Sequence, residues 1–218
     1  MINLLNNRHQ NPIRQLLCLG AHSDDVEIGC GGTILKLIET YPDISIYWIV
    51  FGAADKRQEE ALASAHAFLK DVEHKTIVVK GFRDRFFPYI GADIKNFFDQ
   101  LSKDVQPDLV LTHYRHDLHQ DHRVISDLTW NTFRNHLILE YEIPKYDGDM
   151  GIPNIFVHLN ESICQRKINY LMEYFATQSN KHWFSSDTFL SILRLRGIES
   201  NAPDKYAEAF YCRKAVLI

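Results

Sequence analysis

Short apolar runs alternate with longer stretches of helical spacing along most of the chain, and this alternation limits the fold more than any other feature. Residues 15–21, 76–80 and 108–112 are short apolar runs that read as strands, and 44–51 (ISIYWIVF), rich in β-branched and aromatic side chains, reads as a buried strand of a parallel sheet. Between them, 55–70 carries Ala61, Ala65 and Phe68 or Leu69 on one helical face, and 90–105 carries Ile94, Phe97, Phe98 and Leu101. Helices are also expected over 31–40, 121–135, 161–177 and 186–195. Further strands are expected at 136–141 and 154–158, and a closing strand over 207–218. Strands that alternate with helices in this way predict an α/β layer fold with a mostly parallel central sheet.

A chain of 218 residues, 45% of them hydrophobic, can bury a sizeable core as a single domain spanning 1–218. The formal charge of −4 provides no basic footprint, so nucleic acid is not an expected partner. No segment approaches the roughly 20 apolar residues needed to span a bilayer, and the first residues contain no apolar leader core. The four cysteines, Cys18, Cys30, Cys164 and Cys212, are scattered without a close pair, which suits a reducing cytoplasm.

The chemistry concentrates in two loops. The first apolar run ends in HSDD, His22 to Asp25, where adjacent carboxylates need a compensating charge or donor. The fourth ends in HYRHDLHQDH, residues 113–122, which holds four of the eleven histidines. In a doubly wound sheet of order 3-2-1-4 the first and fourth strands are neighbours, and ligands bind outside their carboxyl ends. Two loops far apart in sequence are therefore expected to meet, both bringing metal-binding side chains. A catalytic zinc takes three nitrogen or carboxylate ligands and leaves a position for water. His22, Asp25 and His122 supply that set, and Asp24 is placed to accept a proton from the water. His119, as imidazolium, would stabilise an oxyanion or protonate a leaving amine, and Asp121 would orient a ligand ring.

Structural readings stand beside these. Either aspartate could cap the helix that follows. The glycines of GCGG do not form G-x-G-x-x-G, and are expected to let the backbone turn tightly into that helix. His113 and His116 are expected to be solvated or to lie behind the ligands. His9, His66, His74, His136, His158 and His182 show no partner pattern. The loop KGFRDRFFPY, 80–89, combines Arg83 and Arg85 with aromatic residues that could stack on a sugar and pair with a phosphate, or simply pack. The aromatic loop 179–187 has the same two readings, and the turn-rich EIPKYDGDMGIP, 142–153, reads as a substrate-side excursion.

These residues resemble the PIG-L or LmbE-like N-deacetylase family. Its A-H-P-D-D-E signature is matched by Ala21, His22, Ser23, Asp24 and Asp25 with the GCGG run, and its H-x-D-H signature by His119 to His122. RQEE, Arg57 to Glu60, and YAEAF, Tyr206 to Phe210, are weaker matches. Ser23 stands where the family has proline, and Val26 precedes Glu27 where an acidic residue is usual. Lys167, Leu171, Thr177 and Gln178 fit a later family pattern only approximately.

The resemblance implies a Rossmann-like three-layer fold, zinc on His22, Asp25 and His122, Asp24 as general base, and Arg57 near the substrate. The reaction implied is removal of an N-acetyl group from an N-acetylglucosamine-type sugar, free, nucleotide-linked or lipid-linked, with release of acetate. Iron or another divalent ion would also suit the ligand set. Family members often assemble as trimers or hexamers, so a homo-oligomer is compatible with this reading. Two alternatives stay open: a metallohydrolase of another amide, and a sugar or nucleotide-sugar binding protein with a structural metal. The spare Asp24 argues against the latter. Arg57 has a competing reading as a surface ion pair with Glu60.

Overall fold

The computed structural model describes residues 13–216. His9, the N-terminal leader reading and the last two residues of the expected closing strand lie outside the described residues. Seven strands form one sheet: β1 (Gln15–His22), β2 (Ser45–Gly52), β3 (Lys75–Val79), β4 (Leu109–His113), β5 (Leu137–Tyr141), β6 (Ile155–Leu159) and β7 (Tyr206–Tyr211). Their order is β3-β2-β1-β4-β5-β7-β6. The first five are parallel, and β7 runs antiparallel to both β5 and β6.

Among the described residues six α-helices cover the sheet: α1 (Asp25–Thr40), α2 (Asp55–Phe68), α3 (Gly91–Asp104), α4 (Gln120–Thr132), α5 (Glu161–Tyr174) and α6 (Ser186–Glu199). Both faces of β1 are buried, and its side chains divide between two cores with the period of two that a strand imposes. Leu16 and Cys18 join the core under α1, α2, α5 and α6, whereas Leu17, Leu19 and Ala21 join that under α3 and α4. This is the α/β fold with a mostly parallel sheet expected from the alternation, in the three layers that the family resemblance implies.

One expectation is overturned. Helix α1 begins at Asp25, not at Gly31, so the glycines of GCGG lie inside it and make no turn. Their use is close approach. A Cβ on Gly29 would sit 2.1 Å from Cδ2 of Tyr141, and one on Gly32 would sit 2.5 Å from Cδ1 of Leu159. The smaller differences fall at element ends: α5 stops at Tyr174 before a 3-10 turn (Ala176–Gln178), α6 runs on to Glu199, and β7 ends at Tyr211.

The same helix is fastened to the sheet by a buried ion pair. Lys167 Nζ donates to Glu208 and to the Ile28 carbonyl, each at 2.6 Å, while Glu208 accepts from the N–H groups of Gly32 and Thr33 at 2.8 and 2.6 Å. The pair thereby holds α1, α5 and β7 together directly behind the helix start.

Candidate metal centre

The parallel strands β1 and β4 lie side by side, with Cys18 opposite Leu111, so their carboxyl ends open into one crevice. His22 is the last residue of β1, and Asp25 the first of α1. The short turn between them is closed by Asp25 Oδ2, which accepts from the His22 N–H at 2.6 Å. Across the crevice, His119 caps α4 through Nδ1, which accepts from the Asp121 N–H at 3.2 Å, and His122 follows in the first turn. His22 Nδ1 faces His122 Nε2 at 3.2 Å and Asp25 Oδ2 at 3.4 Å, and His122 Nε2 lies 3.6 Å from Asp25 Oδ1. Tetrahedral zinc with bonds of about 2.0–2.1 Å requires ligand atoms about 3.3–3.4 Å apart. The donors are of the types zinc takes, and the His22 contacts to His122 and to Asp25 Oδ2 come close to that spacing, while His122 meets the other oxygen of Asp25.

The remaining nitrogens of both rings meet carboxylates. Asp121 Oδ2 stands 3.1 Å from His22 Nε2 and is itself fixed by the N–H groups of Arg85 (2.6 Å to Oδ2) and Phe87 (3.2 Å to Oδ1). Asp117 Oδ2 stands 2.9 Å from His122 Nδ1 and receives Lys145 Nζ at 2.8 Å. Burial pushes the Asp117 carboxyl up, but His122 and Lys145 outweigh it and hold the group well below the usual range. Burial and the neighbouring His113 bring His122 down to about 4, which suits a neutral ligand imidazole.

Asp24 occupies the N-cap position of α1 but makes no side-chain capping bond, so the capping reading does not describe it. It is buried, and burial followed by the Asp25 carboxylate pushes it upward, while Arg57 opposes the shift. Burial and His22 hold His119 below its ordinary value, and its Nδ1 already accepts a hydrogen bond. With Nδ1 engaged as an acceptor, the hydrogen of a neutral ring belongs on Nε2. The His119 ring stacks on His122 with centroids 4.6 Å apart.

Of the three arginines singled out, Arg57 reaches the site. Its Nη2 lies 3.6 Å from Asp24 Oδ1 and its Nε donates to Ser23 Oγ at 3.1 Å. The alternative ion pair with Glu60 is not what Glu60 makes, since its carboxylate holds Thr177 through the N–H (2.9 Å) and the hydroxyl (2.5 Å). Arg83 is exposed and stacks over the Phe86 ring at 3.6 Å, and Arg85 reaches the site through its main chain, at φ +68°. In the loop 179–187, Phe184 packs into the core, while Lys181 lies over Trp183 at 5.3 Å.

Four residues here carry contacts that the sequence did not disclose. Asp84 lies between Arg83 and Arg85, with Oδ1 3.1 Å from His22 Nε2 and Oδ2 3.6 Å from Arg57 Nη1. His113 is fully buried, accepts from the Ala21 N–H at 2.9 Å and lies 3.3 Å from Asp25 Oδ2. Among the described residues, three groups place one donor atom each within 4.8 Å of one another: Asp25, His113 and His122; His22, His119 and His122; and His22, Asp84, His119 and Asp121. Asp117 and Lys145 complete the four. Asp117, five residues before His122 in the histidine-rich loop, had a sequence signal that could have been followed, and His113, which opens that loop, is buried against Asp25 rather than solvated.

Comparison with known proteins adds two findings. The family model described as PIG-L, GlcNAc-PI de-N-acetylase, matches residues 17–133. Among solved structures, N,N'-diacetylchitobiose deacetylase from Pyrococcus horikoshii is 20% identical with a TM-score of 0.68, covering 96% of this chain and 86% of that one. The zinc-inhibited form of teicoplanin deacetylase Orf2 is 14% identical with a TM-score of 0.69, covering 91% and 97%. GalB, the 4-carboxy-2-hydroxymuconate hydratase of Pseudomonas putida KT2440, is 16% identical with a TM-score of 0.74, covering 94% and 98%. At these identities the structural likeness speaks for the fold, which hosts both deacetylases and a hydratase.

Proposed function

Because the chain belongs to the PIG-L family of de-N-acetylases, we propose that it is a metal-dependent hydrolase that removes the N-acetyl group of an N-acetylglucosamine-type amino sugar. The observation that carries this reading is the meeting of His22, Asp25 and His122 at 3.2–3.6 Å, beside a buried Asp24 that caps nothing. His22, Asp25 and His122 hold the cation, zinc by preference, with iron or another divalent ion accepted by the same donors. When bound, the ion supplies Lewis acidity toward the amide carbonyl and toward water, whose pKa falls to about 7 in favourable sites.

The chain's own groups do the rest. Asp24 accepts the proton of the attacking water, and its burial beside Asp25 keeps it basic enough for the task. His119 offers its Nε2 hydrogen to the oxyanion that develops on the carbonyl oxygen. The proton held by Asp24 passes to the departing nitrogen as the C–N bond breaks, so that acetate and the free amino sugar leave and Asp24 returns to its ionised form. Asp121 keeps the His22 ring in orientation. Arg57, and Asp84 beside it, face the site from the α2 side and are assigned to the sugar hydroxyls or to a phosphate. Arg83 and Arg85 are assigned to the outer rim of the same loop.

In this reading 1–218 acts as one domain. Among the described residues no helix is long and apolar enough to cross a membrane. The four free cysteines suit the cytoplasm.

The test is acetate release from a panel of N-acetyl sugars, free, nucleotide-linked and lipid-linked, with and without chelator. Chelator-sensitive release from at least one sugar is expected. Bound metal without acetate from any member would transfer the assignment to another amide, or to a binding role.

A further inference from the structure

Lys145 has no part in the scheme above, yet it sits at the junction of two loops. It lies in the connection between β5 and β6, with a side chain 10% exposed, and its Nζ donates to Asp117 Oδ2 at 2.8 Å and to Asp149 Oδ2 at 2.6 Å. Asp117 Oδ2 is the oxygen that faces His122 Nδ1, and Asp117 Oδ1 accepts from the His119 N–H at 2.8 Å. Asp149 in turn accepts from the Leu118 N–H at 2.7 Å. One ammonium is therefore wedged between two buried carboxylates, one from the histidine loop and one from the β5–β6 connection. That connection also presents Tyr146, Met150 and Ile152 to solvent.

We infer that Lys145 is a positioning residue that couples the 143–154 segment to His122, so that metal binding and the order of this segment reinforce each other. The inference rests on the reading of His122 as a ligand. Without the ammonium, two carboxylates in a water-poor site repel each other, and relief comes only if the segment moves out or Asp117 turns away from His122. Either movement releases the ring that Asp117 orients. Coupling between two sites is reciprocal, so an ion that fixes His122 must also steady the segment through the same contacts.

Hydrogen exchange on the full chain, metal-free and zinc-loaded, tests this together with zinc affinity by chelator competition. In the wild type, zinc is expected to slow amide exchange over 143–154. In K145M that effect is expected to vanish and zinc affinity to fall about tenfold. K145R should retain both properties, and K145M/D149N, which removes the second carboxylate, should recover affinity relative to K145M. Far-UV circular dichroism and a cooperative melt establish that each variant is folded. The coupling is overturned if zinc leaves 143–154 unchanged in the wild type, or if K145M keeps both its zinc-dependent protection and an affinity within about twofold of the wild type, below the 10-fold scale of such contacts. Loss of zinc in His122→Ala with such a K145M would sink the coupling alone, whereas undiminished binding in His122→Ala would sink the ligand assignment and the coupling with it.

Discussion

Asp24 and Asp25 are neighbours in sequence with opposite surroundings. Asp25 is held among His22, His113 and His122, which together outweigh its burial and keep it ionised, whereas Asp24 turns toward Arg57. The two residues should therefore fail differently. Asp24→Asn is expected to bind zinc as the wild type does and to lose about 10²–10⁴-fold in kcat, the usual share of a general base. His22→Ala is expected to lose the metal and the turnover together. Full turnover in Asp24→Asn would remove the proposed base. Asp117 touches no substrate in this scheme, and Asp117→Asn should weaken zinc binding by about 10–100-fold through loss of the contact that orients His122. Chelator competition measures this directly.

At the scale of elements, the decisive one is α1, which starts at the strand end and presses its glycines against the sheet. Replacing Gly29 by alanine adds helix propensity of about 1 kcal/mol. The new Cβ would, however, meet the Tyr141 ring, which cannot withdraw freely because its hydroxyl donates to the Leu19 carbonyl at 2.6 Å. Overpacking of about 1–3 kcal/mol should outweigh the gain, so Gly29→Ala is expected to unfold at lower urea concentration. Lys167→Met should cost more, about 3–5 kcal/mol, because it leaves the buried Glu208 carboxylate without its cation, held only by the N–H groups of Gly32 and Thr33. A midpoint equal to that of the wild type in either variant would contradict this account of how α1 is seated.

Over the whole molecule, a cation held as proposed between the end of β1 and the start of α4 would tie those two elements together and should stabilise the folded state. At a free zinc concentration 100-fold above Kd the gain is about 2.7 kcal/mol, visible as a rise in Tm that chelation reverses. An unchanged Tm at that concentration would mean that the ion does not prefer the folded chain. The alternation of apolar runs and amphipathic stretches determined the layers and the mostly parallel sheet, because a strand buried on both faces must be apolar throughout and a parallel neighbour requires a crossover, whereas the placing of β7 between β5 and β6 was decided only by the tertiary structure. The residue types of HSDD and HQDH likewise pointed to a candidate cation site, since such donors are costly to bury unless something compensates them. Tertiary structure alone decided the partners of those donors. Asp84 arrives on the loop after β3, His113 is turned inward at the end of β4, and Lys145 reaches Asp117 from beyond β5. No spacing along the chain encodes these contacts, because each joins side chains from different crossovers whose meeting depends on where the sheet brings its strand ends together.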